Sequence, residues 1–378
     1  MLLAVAGITN ASATWFFGNS AVYVNGTWYY CGQNLDWCSG GSFNTANLGT
    51  FNIDFAKSNS LLLIGGQSQF YEDGTSWYDK EQTHKIVMGY RIDNGTNQSV
   101  DLTLYKFDNN NNFCQLGGSD LAPISIDISD LAEGSHTIAV WFSTQIYQNG
   151  NWVDQWDSNN SNNYVANFTV NHVNGVIATE ALDGYYWATF YCSDTNYQFA
   201  GGVNACAYYA TVDTSDEWII TLHRLGKVIP QNTAVIIVSE SRDQYNTVEM
   251  EPTSSAGDNI PSDLSTNELR GLDNRTKCSS ISGSGTFYVL GGSGDNFGFH
   301  PYSGTYMPAC KAFLRINSSN GTRGFSIEFE DDGTTGIRTI NKASIDNGNW
   351  YSLDGRKFSS KPTQRGVYIN NGKKVVIK

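Results

Sequence analysis

Apolar and polar residues alternate along most of this chain in short runs, and the runs end at turn dipeptides. Asn25-Gly26, Gly65-Gly66, Asp93-Asn94-Gly95, Glu133-Gly134 and Asn149-Gly150 are the clearest of these breaks. A helix facing a core repeats its apolar positions every three or four residues, whereas a period of two suits a half-buried strand. The turn residues supply the positive φ or the side-chain hydrogen bond that a hairpin needs. Composition points the same way: 21 Tyr, 19 Phe and 10 Trp stand beside 38 Gly, and only 16% of residues are charged. Aromatic and β-branched side chains fit a pleated surface, and helix-forming Glu and Lys are scarce. The chain is therefore expected to be all-β, built as tandem β-sandwich domains with a small β-unit at the C-terminus.

Three units follow from the spacing. Residues 14–170 hold strand candidates at Ala21–Val24, Thr27–Cys31, Thr50–Phe55, Leu61–Ile64, Lys85–Ile92, Asp101–Phe107, His136–Ser143 and Tyr164–Val170. They form either one large sandwich or a short module followed by a second sandwich. Residues 175–335 contain the runs Trp187–Cys192, Ala207–Asp213, Thr233–Ser239, Thr286–Leu290 and Lys311–Ile316. Residues 345–378 form the terminal unit. Ahead of these, residues 1–13 hold a short apolar run and then Ala11-Ser12-Ala13, the small-x-small pattern that a signal peptidase accepts. No Lys or Arg precedes that run, so we expect an export signal truncated at its start, with the mature chain beginning near Thr14. A later apolar run of the roughly twenty residues that span a bilayer is missing from the sequence.

The last thirty residues, from Asn349, carry seven Lys or Arg and one acid, about +6, against a whole-chain charge of −13. Their sequence reads Leu353-Asp354-Gly355-Arg356, then Gly366-Val367-Tyr368-Ile369, then Lys373-Lys374-Val375-Val376-Ile377-Lys378. This resembles the C-terminal tails of secreted and cell-surface proteins of Bacteroidota and looks like a short relative of the sorting domains read by the type IX secretion system. The resemblance assigns Asp354, Gly355, Arg356, Gly366, Tyr368, Lys373 and Lys374 to the sorting tail. It implies an extracytoplasmic protein, secreted or held at the cell surface, that meets a type IX-like export machinery. Tyr186-Trp187-Ala188-Thr189-Phe190-Tyr191, Val228-Ile229-Pro230-Gln231-Asn232-Thr233 and Phe297-Gly298-Phe299-His300-Pro301-Tyr302 similarly resemble a β-module found ahead of such tails. That module brings no catalytic residues with it. Leu131-Ala-Glu-Gly-Ser-His136-Thr-Ile-Ala-Val140 with Asn162-Asn163 before the last strand resembles bacterial immunoglobulin-like, adhesion-type domains. For the sandwiches, an immunoglobulin-like or jelly-roll-like topology is the expectation.

Catalytic chemistry finds little footing. The five histidines are His84, His136, His172, His223 and His300, and no Gly-x-Ser-x-Gly elbow accompanies them. Glu72, Asp73, Asp79 and Glu81, or Glu328 and Glu330, could pair as glycosidase carboxylates, but solvated strand faces carry acids in the same way. Asp154, Asp157 and the Asn-rich segments nearby lack the full spacing of a calcium loop. We expect no cofactor and no metal, and the acidic balance excludes nucleic acid as a partner. Seven cysteines, Cys31, Cys38, Cys114, Cys192, Cys206, Cys278 and Cys310, leave an odd one over. Neighbouring pairs such as Cys31 with Cys38, Cys192 with Cys206 and Cys278 with Cys310 would suit an exported protein; buried free thiols suit the sequence equally.

The aromatics offer the strongest functional signal. Trp37, Tyr71, Trp77, Tyr78, Trp152 and Trp156 sit among Asp, Asn, Gln and Gly, in settings that read as loops, whereas Trp28 and Trp141 read as core. Sugar rings stack their C–H faces on exposed indole and phenol rings, and neighbouring amides and carboxylates take the hydroxyls. The expected activity is non-catalytic binding of a polysaccharide or glycoconjugate by residues 14–170. The alternatives are a structural or adhesive protein that binds another surface protein, and an accessory region of a secreted hydrolase.

Overall fold

The computed structural model describes residues 15–72, 75–76, 84–106, 113–118, 121–157, 163–182, 184–214, 218–255, 257, 260–317, 324–330, 350–352, 357–358, 366–370 and 373–377. The chain is all-β. Helical segments among the described residues are single 3₁₀ turns, such as Phe43–Thr45 and Leu264–Thr266. Two compact units emerge, Met1–Ile53 with Lys57–Val173, and Asp54–Ala56 with Asn174–Lys378.

The first unit is a two-layer sandwich. One sheet runs in the order β2 (Thr27–Cys31), β1 (Trp15–Val24), β4 (Leu61–Glu72), β9 (Phe113–Leu116), β8 (Thr103–Lys106). Strands β5 (Thr75–Ser76) and β10 (Ile124–Asp127) also pair with β4. The facing sheet runs β3 (Asn47–Ile53), β13 (Tyr164–His172), β11 (Gly134–Gln148), β6 (His84–Ile92), β7 (Gln98–Asp101), with β12 (Asn151–Asp157) added to β11. Alternate residues of both sheets meet in one core: Val22, Val24, Leu62 and Ile64 from the first, Met88, Val140, Phe142 and Phe168 from the second. A Cβ on Gly66 would lie 2.5 Å from the Met88 sulfur and 2.9 Å from the Phe142 ring, so the layers close on a residue without a side chain. Asn25 and Gly26 both take positive φ (45° and 97°) and turn β1 into β2, as their dipeptide foretells. The run expected as one strand from Asp101 to Phe107 splits at buried Leu102: β7 belongs to one sheet and β8 to the other.

The second unit adds a third layer. Its central sheet has the order β15 (Thr179–Leu182), β16 (Tyr185–Phe190), β21 (Val235–Ser239), β18 (Ala205–Asp213), β19 (Ile219–Gly226), β28 (Ser326–Phe329). One face packs on a sheet of β14 (Gly175–Ile177), β22 (Thr247–Thr253), β17 (Asn196–Phe199) and β20 (Val228–Ile229), through Phe190, Val235, Ile237, Val248 and Met250. The other face packs on β25 (Gly298–Pro301), β24 (Thr286–Gly291) and β27 (Leu314–Ile316), through Trp187, Ile236, Tyr288, Phe299 and Leu314. Burial on both faces explains why Val235-Ile-Ile-Val238 is an unbroken apolar run and why every residue of β21 is buried. A short ribbon pairs β23 (Thr276–Lys277) with β26 (Tyr306–Met307).

The terminal β-unit is a sheet of β30 (Lys357–Phe358), β29 (Trp350–Ser352), β31 (Gly366–Asn370) and β32 (Lys373–Ile377). Gly366 and Tyr368 fall in β31, Lys373 and Lys374 in β32, and the register pairs Asn370 with Lys373. Asp354, Gly355 and Arg356 lie outside the described residues, as do residues 1–13 of the expected signal.

The cysteines are all thiols. Cys206 packs with the core on one face of the central sheet and Cys192 with the core on the other, so these two are not the neighbours their spacing suggests. Cys278 and Cys310 likewise join different clusters.

Candidate ligand-binding surfaces

Strand β11 turns the core residues Ile138, Val140, Phe142 and Thr144 inward. Alternation then presents Trp141, Ser143, Gln145 and Tyr147 on the outer face of the sheet. The hairpin through Asn149-Gly150 sets Trp152 of β12 directly opposite Tyr147. Their ring centroids are 5.3 Å apart with planes inclined at 60°, and the residues stay 53% (Tyr147) and 41% (Trp152) exposed. Large aromatics this open do not repay their hydrophobic surface within the fold.

Lys85 completes the surface. It precedes inward-facing Ile86 on β6, opposite Gln145, and its ammonium lies 4.7 Å from the Trp152 ring centroid. The same Nζ donates to the Asp101 carboxylate at 2.9 Å. A cation over an indole contributes about 0.5–1 kcal/mol at an exposed site, enough to bias the ring's orientation. The result is an open phenol ring beside an indole with an ammonium over it and a carboxylate bonded to that ammonium, which offers C–H stacking beside hydrogen-bonding groups for hydroxyls. Farther along β11 the Trp141 indole covers Gly89, where an added Cβ would lie 2.0 Å from the ring.

A second aromatic group lies on the other sheet. Val22 and Val24 point into the core, and so do Tyr29 and Cys31, which leaves Tyr23 and Trp28 on the outer face. Tyr23 and Trp28 are 5.3 Å apart, and Trp28 meets Trp37 edge-on at 5.6 Å. Trp37 is 49% exposed. Its loop is held to β2 by Gly40 N donating to Trp28 O and by Tyr30 N donating to Gly41 O. Burial pushes the Cys38 thiol beside it up to about 11 and raises Cys31 as well, so neither is a reactive thiolate at neutral pH.

Of the six expected aromatics, Trp37 and Trp152 have described side chains, and these two lie apart. Trp37 lies in a loop held to one sheet and Trp152 in a strand of the other. Trp152 is a strand residue and not a loop residue, because its hairpin partner Tyr147 extends the ladder past the polar stretch. Tyr71 lies in β4 and Trp156 in β12 opposite Thr144, with side chains outside the described set; Trp77 and Tyr78 lie outside it altogether. Trp28 and Trp141, read as core, are half-buried on outer faces, since their strand neighbours claim the inward positions. Tyr23, Tyr147, Lys85 and Asp101 were not singled out by sequence, although the period of two around Val22, Val24, Val140 and Phe142 was visible.

Polar clusters elsewhere tie strands together. In the second unit His223 contacts Thr211 Oγ1 through Nε2 and Glu330 Oε2 through Nδ1, each at 2.8 Å, and stacks on Tyr209. That is the connectivity of a hydroxyl–imidazole–carboxylate relay, but Thr211 is a mid-strand residue of a ladder that it helps to hold. An open cleft of about 600 Å³ in this unit is lined by Tyr191, Gln231, Asn232, Thr233 and Asn267, and not by Thr211 or His223. No group of three metal-ligating side chains occurs among the described residues, and no helix among them is long and apolar enough to cross a membrane. No family model matches the chain, and neither does any curated protein.

Proposed function

We propose that the first unit is a non-catalytic polysaccharide-binding module and that the Tyr147–Trp152 surface is its principal contact. The observation that carries this reading is the adjacent pair of open rings, fixed by a β-hairpin and by Lys85, with Asp101 alongside. A rigid strand scaffold preorganises the rings, so binding orders few side chains. The tail's likeness to sorting domains supports a secreted or surface-attached setting, where polysaccharide is the ligand at hand, and a type IX-like route to it.

The test is affinity electrophoresis of the full chain in gels containing arabinoxylan, mixed-linkage β-glucan or galactomannan. One of these should retard the protein, and Trp152→Ala should remove at least about tenfold of the affinity, or about 1.4 kcal/mol. Equal mobility in every gel would sink the reading. Capture of a protein partner through the same two rings would favour the adhesive alternative.

A further inference from the structure

We infer that the same sandwich carries a second, separate site for neutral polysaccharide, and that one molecule therefore bridges two chains. The site is the Tyr23–Trp28–Trp37 group together with the cleft that Tyr23 also lines; the inference rests on the glycan-binding reading above.

Three observations carry it. The first is continuity: an open cleft of about 640 Å³ is bounded by Tyr23, Asn25, Leu48, Thr50, Asn52 and Asn59, so the aromatic row runs into a trough of amides. The second is chemistry. Asn25 Oδ1 accepts from Leu63 N at 2.8 Å, and Asn52 Oδ1 accepts from the Asn171 side chain at 2.9 Å. Both oxygens are thereby fixed, and each amide nitrogen is turned toward a donor role for hydroxyl oxygens. Among the described residues the cleft lining contains no Lys, Arg, Asp or Glu, in contrast to the Lys85–Asp101 edge of the first surface, which suits an uncharged sugar.

The third observation is placement. Tyr23 and Trp28 face away from the core on one sheet, Tyr147 and Trp152 on the other. The layers of a sandwich are about 10 Å apart, so the two aromatic pairs point in opposite directions with the core between them, and the cleft beside Tyr23 extends to β3 at the edge of the second sheet. A chain lying on one face would have to fold around a sheet edge to reach the other. Two chains, one per face, fit without that bend. The molecule then acts as a cross-link, and its grip on a polysaccharide network exceeds that of either site alone.

The experiment compares the full-length wild type with Trp37→Ala, Trp152→Ala and the double variant, in the same three neutral polysaccharides. Affinity electrophoresis reads binding, light scattering of dilute mixtures reads bridging, and thermal melts confirm folding. Each single variant should stay retarded with an affinity at least about tenfold weaker, only the wild type should raise scattering, and the double variant should do neither. Thr50→Arg fills the cleft without altering the triad and should abolish bridging as well. If Trp37→Ala and Thr50→Arg match the wild type in both readouts, the second site is wrong and the first stands. If Trp152→Ala alone abolishes all retardation, the second site is likewise wrong and the first accounts for all binding. A wild type that binds without raising scattering also overturns bridging. If no polysaccharide retards the wild type, both readings fail together.

Discussion

In the first unit, the tryptophans whose side chains are described stand on outer faces; in the three-layered part of the second, Trp187 and Trp218 are sealed inside. Both units are cut from the same aromatic-rich material, and what separates them is the number of layers. Strand β13 of the first unit buries every second residue, and its intervening positions meet solvent. Strand β16 of the second has Trp187 in one core and its neighbour Ala188 in another. A sheet covered on both sides uses its aromatics as filling, whereas a sheet covered on one side leaves its odd positions free for a ligand. An aromatic residue's role is decided by what covers its sheet, and the first unit is where binding should be sought.

The largest effect should come from the sealed set. Trp187 is 4% exposed and packs on Phe297 and Phe329, with centroids at 4.9 and 5.9 Å. Trp187→Ala should cost about 3–5 kcal/mol, read by denaturant unfolding. A loss under about 1 kcal/mol would mean that the three-layer account of the second unit is wrong. Next comes a test of the half-buried set. Gly89→Ala would thrust a methyl into the Trp141 indole, so the ring must leave its seat or the strands must shift. We expect about 1–3 kcal/mol of destabilisation and a change in tryptophan fluorescence. No change in either would show that Trp141 does not lie on that face.

Much of this division was legible in the sequence. Val235-Ile-Ile-Val238, with no polar residue in the run, announces a strand buried on both faces, and the alternation of Tyr164 to Val170 announces one buried on a single face. The terminal β-unit, the Asn25-Gly26 hairpin and the exposure of Trp37 were equally readable, because each depends on adjacent residues. What escaped depends on partners far along the chain. Trp152 looks like a loop residue beside Asp154 and Gln155 until Tyr147 is placed across from it. Lys85 has no local mark of a ring partner. The break at Leu102 is invisible because the run on either side keeps a strand's pattern, and only pairing shows that the chain changes sheets. Three layers in the second unit could not be counted from strands alone, since a strand's own residues do not say what covers it.

A smaller effect should distinguish the units by pH. His136 Nδ1 lies 2.7 Å from the Asp93 carboxylate, and Nε2 lies 2.8 Å from the Ala132 carbonyl. Two acceptors are both satisfied only by an imidazolium, which donates from each nitrogen. The Asp93 bond, and then the Ala132 carbonyl, hold the imidazole above its usual 6.5. Burial pushes the Asp93 carboxyl up, but hydrogen bonds from His136 and Thr137 outweigh it and bring the carboxyl below its usual 3.8. The histidine's stabilisation is complete below pH 6.5 and is lost as pH rises through the raised value; the carboxylate's is present above 3.8 and is lost as pH falls through the lowered one. The first unit should therefore lose a small part of its stability as pH rises above about 6.5, and His136→Gln should flatten that slope. A slope unchanged in the variant would assign the pH dependence elsewhere.

The smallest stability effect is the most informative. Trp152 is held by a cation and a tilted phenol ring on an open face, so Trp152→Ala should shift stability by no more than about 1 kcal/mol. The same substitution should remove at least about tenfold of the polysaccharide affinity. A side chain that matters little to the fold and much to the ligand is what a binding surface requires, and Trp187→Ala supplies the opposite pattern on the sealed side of the comparison. Should Trp152→Ala cost more than about 2 kcal/mol, the ring is packing material in spite of its exposure. The outward aromatics of the first unit would then differ from the buried ones of the second only in degree, and the binding surface would have to be looked for in the cleft beside Tyr23.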